Sequence, residues 1–153
     1  MPRSMRAFLC LTVLLLPACA GLQHQMAANQ YVSQQTLDHV YQRNLAEVWP
    51  YARQLLFEYG YSVRDTGEGM TFTAETEWRA EQNGSSRYLV QGFVLGDRAC
   101  RVQFTRVDSG PMGDRWNRDV AMEWTLLRRA EPEAAAQLEA DGQRYANSSV
   151  GAP

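Results

Sequence analysis

The spacing of apolar residues changes at Gly60, and this change constrains the fold more than any other feature of the chain. Before Gly60 the apolar residues recur every three or four positions, as in an amphipathic helix: Leu45, Val48, Trp49, Ala52, Leu55, Leu56 and Tyr59. Asn44 is the expected N-cap, with Glu47 three residues later, and Gly60 suits the carboxyl end. Pro50 lies beyond the first turn of a helix that begins at Leu45, but within the first turn if the helix begins near Trp49. After Gly60 the apolar residues alternate, which indicates strands with one buried face.

Turn-forming residues divide this alternating region into short predicted strands. The strands cover residues 61–64, 70–78, 88–95, 100–105 and 120–126, and residues 37–43 are a candidate for one more. Between them lie the turns "DTGEG", "RAEQNGSS" and Gly96-Asp97, and the longer loop Asp108–Asn117. Residues 88–95 are apolar on both faces apart from Gln91, as expected of a central strand. Consecutive hairpins predict an antiparallel sheet with one solvated face.

A second helix is predicted after the last strand. Glu131-Pro132-Glu133 places a proline in the first turn and carboxylates at the positive end of the helix dipole. The resulting fold class is α+β, a helix-grip-like antiparallel sheet of about five or six strands packed with an amphipathic helix and a C-terminal helix. Six aromatic side chains are expected to fill the core: Trp49, Phe72, Tyr88, Phe93, Phe104 and Trp124.

The amino-terminal segment has the composition of a secretion signal. Arg3 and Arg6 precede the apolar run Ala7–Leu16, and small residues follow. The run is too short to span a bilayer, which takes about 20 apolar residues. Residues 1–18 are therefore expected to be a signal peptide. The polar, glutamine-rich residues 19–35 are expected to form a flexible tether, residues 36–146 a single domain, and residues 147–153 a disordered tail.

Two processing signals overlap at Cys19. Leu16-Pro17-Ala18-Cys19 resembles the bacterial lipobox and departs from it at Pro17, whereas Ala18-Cys19-Ala20 fits cleavage before Gly21. We favour a lipid anchor on Cys19, because a cysteine directly after the apolar run is uncommon in a chain with three cysteines. Ala20 rather than aspartate follows the cysteine, and resemblance to the usual sorting pattern then implies the outer membrane, with the domain facing the periplasm. The alternative is a secreted or soluble periplasmic protein.

The composition excludes several classes of function. The net charge is −2, with no lysine and no basic block, which argues against nucleic acid as a partner. Cys100 lies on the apolar side of its strand, as a buried, inert thiol does. His39 has no nucleophile at a recognised turn, and Glu75 and Glu77 on one strand face are typical of a solvated sheet. We therefore expect no enzyme, no cofactor and no metal site.

Residues 44–78 resemble a known family. "NLAEVWPYARQLLFEYGYSVRDTGEGMTFTAETEW" is similar to the repeating helix-grip unit of BamC-like (NlpB-type) assembly lipoproteins of the bacterial outer membrane. Val48, Trp49, Gly60, Tyr61 and Trp78 match that unit by spacing, and all five are structural positions. The family usually has two such units, and this chain has room for one. The resemblance implies a place among envelope lipoproteins and, as an expectation, a role in outer-membrane assembly.

Two functions follow as hypotheses. The first is a non-catalytic module that contacts an envelope protein through the loop Asp108–Asn117, where Pro111, Met112 and Trp116 have no obvious core position. The second is a carrier of a small ligand or lipid in a cavity between helix and sheet. A cavity of several hundred Å3 lined by the core aromatic residues favours the carrier, and a core filled by those residues favours the interaction module.

The lipobox resemblance leads to a direct prediction for the mature amino terminus. Mass spectrometry of the protein purified from bacterial membranes should find an acylated Cys19 as the first residue, because two or more acyl chains are needed for stable anchoring. An unmodified amino terminus at Gly21 contradicts the prediction and indicates a soluble secreted domain.

Overall fold

The computed structural model describes residues 3–67, 72–82 and 84–150, with side chains from Gly21 to Ser149 in these ranges. The helices are α1 (Arg3–Asp38), α2 (Leu45–Glu58), α3 (Val120–Ala130) and α4 (Pro132–Val150). The strands are β1 (Val63–Asp65), β2 (Phe72–Thr76), β3 (Arg79–Glu81), β4 (Gly84–Gly96), β5 (Ala99–Gly110) and β6 (Gly113–Arg118). None of the helices, over the residues described, has the length and apolar character of a membrane span.

The strands form one antiparallel sheet in the order β1-β2-β4-β5-β6, with β3 paired to β4 beyond the end of β2. The 13-residue strand β4 is central, as its apolar sequence predicts. The expected α+β class, with an antiparallel sheet and a C-terminal helix, is confirmed.

The chain divides into two compact units. One contains the residues up to Gln34 and those from Gln137 onward, and the other is Gln35–Ala136, which contains the whole sheet with α2 and α3.

In the sheet-containing unit, α2 packs on the sheet through a glycine. A Cβ atom added to Gly92 of β4 would lie 2.9 Å from both methyl groups of Leu45, so only glycine lets the start of α2 approach so closely. Trp49 is 8% exposed, and its ring meets that of Phe72 edge-on with centroids 5.5 Å apart. Through these contacts the first two turns of α2 pack directly against the sheet.

The start of α2 agrees with one of the two predicted alternatives. The Asn44 side chain accepts a hydrogen bond from the backbone N–H of Ala46 at 2.9 Å, and the helix begins at Leu45. Pro50 therefore lies inside the helix, at an exposed position.

Residues 120–126, predicted as a strand, form the helix α3 instead. Their alternation of apolar residues also fits a helix, in which Met122, Leu126 and Leu127 are buried at helical spacing. The Asp119 side chain caps the helix by accepting a hydrogen bond from the backbone N–H of Met122 at 3.0 Å. The N-cap and the burial of this apolar face stabilise the helix.

Two predicted irregular segments are largely strand, and one predicted strand is absent. The loop 108–117 is the end of β5, a turn at Pro111-Met112 and most of β6, whereas "RAEQNGSS" contains β3 and the start of β4. Of residues 37–43, the first two belong to α1, and Tyr41 makes an isolated bridge to Cys100.

The predicted aromatic core is only partly correct. Trp49, Tyr88 and Phe104 are buried, while Phe72 and Trp124 are half-buried. Phe93 is 39% exposed, because the even-numbered residues of β4 are the buried ones and Phe93 points to the other face.

The other unit is helical over its described residues. The sequence predicted a signal peptide for residues 1–18, a flexible tether for 19–35, the C-terminal helix of the domain up to residue 146 and a disordered tail for 147–153. Residues 21–34 belong to α1, and α4 continues to Val150. A Cβ atom on Gly142 would lie 2.9 Å from Val32 Cγ2 and 3.1 Å from the Ala28 carbonyl oxygen, so the two helices meet closely there. Tyr31 and Tyr145 stack with centroids 5.1 Å apart. The buried residues on this contact are small, so the sequence shows little helical hydrophobic periodicity.

The side chain of Cys19 and residues 151–153 lie outside the described residues.

The contact between α2 and the sheet leads to a prediction about stability. Trp49→Ala should lower the free energy of unfolding by about 3–5 kcal/mol, because it leaves a cavity beside Phe72. Glu75→Ala is the control: it removes an ion pair to Arg87, which is worth at most ~1 kcal/mol at a partly exposed site. Denaturant unfolding measures both, and equal midpoints for the two variants would contradict this packing.

Candidate functional site

The sheet-containing unit has an open groove of about 860 Å3 where the end of α2, three strands and the start of α3 come together. Its lining residues are Tyr59, Tyr61, Arg79, Ala80, Glu81, Gln82, Gly84, Ser85, Tyr88, Arg106, Asp108, Ser109, Asp119, Ala121 and Met122. We call it the tyrosine groove, after the three tyrosines that are its aromatic lining.

Two of these tyrosines form the inner wall and one stands at the surface. Tyr61 and Tyr88 are buried, and their rings meet edge-on with centroids 5.1 Å apart. Tyr59 is 51% exposed. Between Tyr59 and Tyr61 the chain turns at Gly60, whose φ of 80° lies in the left-handed region that favours glycine. The helix end therefore places one exposed ring beside two buried ones.

Arg106 is the centre of a hydrogen-bonded network along the groove. Its guanidinium donates to both Glu81 carboxylate oxygens at 2.9 Å and to Asp108 Oδ1 at 2.7 Å. Glu81 also accepts a hydrogen bond from the hydroxyl of Ser86 at 2.7 Å, and that hydroxyl lies 3.3 Å from the hydroxyl of Tyr61. The hydrogen bond to Asp108 raises the pKa of Arg106, so the guanidinium stays positively charged within this network.

Asp119 connects the groove to α3. Its Oδ2 accepts a hydrogen bond from the Tyr88 hydroxyl at 2.6 Å, and its Oδ1 caps the helix. Burial, followed by the bond to Asp119, raises the pKa of Tyr88 well above its usual range. The phenol therefore stays protonated and acts as a hydrogen-bond donor.

The charged side chains of the groove are all held by hydrogen bonds. Arg106 is bonded to Glu81 and Asp108, Arg79 to the Tyr59 carbonyl oxygen, and Asp119 to the Tyr88 hydroxyl. Ser86, whose hydroxyl donates to Glu81, is fully buried. Fixed donors and acceptors around aromatic rings are the usual lining of small-molecule sites.

The predicted partner contacts lie elsewhere, on the β5–β6 hairpin. Pro111 and Met112 form its turn, Met112 is 86% exposed and Trp116 is 55% exposed. Trp116 is the register partner of the fully buried Val107. A shallow depression of about 210 Å3 lies at the tip. The structure thus brings Met112 and Trp116 onto one edge hairpin.

Two titratable residues outside the groove, Cys100 and His39, have surroundings that indicate a structural role. Cys100 is buried, as predicted, and burial raises the pKa of its thiol to about 11. His39 Nε2 lies 2.9 Å from Glu131 Oε2, and the other oxygen of Glu131 accepts the backbone N–H of Gln42. Within the described ranges, no three His, Cys, Asp or Glu side chains are grouped as metal ligands.

Comparison with known proteins gives no relative: no protein-family model matches the chain, and no curated protein or solved structure matches it either. The resemblance of residues 44–78 to BamC-like lipoproteins stays a hypothesis.

The groove was not evident from the sequence. Its lining comes from five segments, and Arg79, Glu81 and Asp108 lie in stretches that were predicted as turn or loop. One signal was present, since Arg106 and Asp108 are two residues apart and therefore share a face if the strand continues through them.

Proposed function

We propose that the chain is a non-catalytic, lipid-anchored protein of the bacterial outer membrane, facing the periplasm, that binds another envelope protein through its β5–β6 hairpin. The anchor is the lipid expected on Cys19, and the resemblance to BamC-like lipoproteins suggests an assembly complex as the setting. The observation that supports this proposal is the exposure of Met112 in the hairpin turn and of Trp116 on the edge strand β6.

The hairpin has two properties of a protein-binding surface. Tryptophan and methionine are enriched at interfaces, and a tryptophan in contact with a partner is often among the residues that contribute most to affinity. In addition, β6 is the last strand of the sheet, so its outer main-chain groups are available to a partner strand. Asp114 and Arg115 on the same strand are charged, as is common on edges that must not aggregate.

The alternative function, a lipid carrier, has less support from the groove. The groove lies between helices and sheet, where the carrier hypothesis places a cavity, but Tyr88 is the only one of the six predicted core aromatic residues in its lining. Five charged side chains line it, and an acyl chain would leave them without water. The lining therefore favours a polar ligand over a lipid.

Site-specific photo-crosslinking in intact cells tests the interaction proposal. A photoreactive residue at position 112 should give one major crosslinked adduct, whereas the same residue at Asp97, in the exposed β4–β5 turn, should give none of it. Met112→Ser combined with Trp116→Ser should abolish copurification of the crosslinked partner while leaving the free energy of unfolding within about 0.5 kcal/mol of the parent. An adduct that forms equally at both positions, or copurification that survives the double substitution, contradicts the proposal.

A further inference from the structure

We propose that the tyrosine groove binds a saccharide, an uncharged ligand that carries many hydroxyl groups. This inference goes beyond the hairpin interaction and does not depend on it, because the contact residues proposed for the hairpin, Pro111, Met112 and Trp116, do not line the groove.

The size of the groove suits a small ligand. Small-molecule sites typically enclose roughly 300–1,000 Å3, and the groove has about 860 Å3. The groove is open to solvent, so a ligand can reach its lining directly.

The charges of the groove disfavour an anionic ligand. Three carboxylates and two guanidinium groups line it, and Arg106 is already held by Glu81 and Asp108. A phosphate or carboxylate ligand would therefore meet an excess of negative charge. The carboxylate oxygens of Glu81 and Asp108 still have unused lone pairs. Hydrogen bonds that these oxygens accept are stronger than those between neutral groups.

The aromatic and polar lining matches the two kinds of surface that a sugar has. The exposed ring of Tyr59 offers an apolar face to the C–H face of a pyranose. The side chains of Gln82, Ser85 and Ser109 provide both donors and acceptors for hydroxyl groups, which themselves both donate and accept.

The aromatic side of the groove is held in position before any ligand binds. Arg79 Nη1 donates a hydrogen bond to the Tyr59 carbonyl oxygen at 2.9 Å, and the guanidinium carbon lies 5.5 Å from the centroid of the Tyr61 ring. The main chain at Tyr59 is thus fixed, which lowers the entropy cost of ordering this residue on binding.

Isothermal titration of the full-length protein in detergent with chitotetraose and with maltotetraose tests the inference. We expect at least one of them to bind with a dissociation constant below about 10 mM, as even weak specific binding does. Tyr59→Ala should weaken binding about tenfold or more, because it removes the stacking face. The control is Phe57→Ala, which removes an exposed aromatic ring of α2 that does not line the groove, and it should leave binding unchanged.

A second variant makes the test independent of folding at Tyr59. Gln82→Ala changes an exposed turn residue of the lining, and it should weaken binding several-fold at an unchanged unfolding midpoint. The inference is overturned if neither oligosaccharide binds, if both variants bind as the parent does, or if inorganic phosphate or trialanine competes with the sugar for the groove and binds more tightly. A failure of crosslinking at position 112 does not affect these outcomes.

Discussion

The buried carboxylate of Glu123 joins α3, β5 and β6, the three elements on which both the tyrosine groove and the β5–β6 hairpin depend. Glu123 is 2% exposed, and its Oε1 accepts hydrogen bonds from the backbone N–H of Phe104 at 3.0 Å and from Arg118 Nε at 2.9 Å. Arg118 Nη2 also contacts the other oxygen. Burial raises the pKa of Glu123, and the hydrogen bonds from Arg118 and Phe104 oppose this effect. One side chain of α3 is thereby bonded to β5 and to the end of β6.

We call the bonds of Glu123 to Phe104 and Arg118 the junction. The junction fixes the position of Asp119, which lies between Arg118 and the first residue of α3. The backbone N–H of Asp119 donates to the Phe104 carbonyl oxygen at 2.8 Å, so Phe104 is bonded on both of its main-chain groups by this short segment. The Asp119 side chain then caps α3 and holds the Tyr88 hydroxyl in the tyrosine groove. On the other side, Arg118 ends the strand that carries Trp116. The tyrosine groove and the hairpin are therefore both stabilised by the ion pair between Arg118 and the buried Glu123.

The parts of the fold that could be predicted are those in which burial and periodicity agree. Helix α2 has six buried positions at helical spacing, and residues 88–95 of β4 form a nearly continuous apolar run, so both were evident in the sequence, although β4 begins four residues earlier than predicted. Helix α3 was missed because Met122 and Leu126 fit either period, and because Glu123, a charged residue, occupies an inward position. Burial of a carboxylate is visible only once its partners, Arg118 and the N–H of Phe104, are placed beside it.

The helical nature of residues 21–34 and the groove escaped prediction for different physical reasons. The contact at Gly142 depends on small residues and close approach, which give almost no hydrophobic signal. The groove depends on long-range placement, since Tyr59, Glu81 and Arg106 are far apart in the chain. Neither local propensity nor spacing contains that information.

The stability of Arg118→Gln as a function of pH tests the role of the junction most directly. Without the guanidinium, the folded-state pKa of Glu123 should rise further above the unfolded value of about 4.3. A raised folded-state pKa contributes stability when the carboxyl is protonated, and this contribution is lost as the pH rises through the folded-state pKa. The destabilisation relative to the parent should thus be small near pH 4 and grow to about 3–5 kcal/mol at pH 7, as when a buried ion pair loses one partner. In the background of Glu123→Gln, which cannot ionise, the effect of Arg118→Gln should not depend on pH. Equal destabilisation at pH 4 and pH 7 in the parent background would contradict the account.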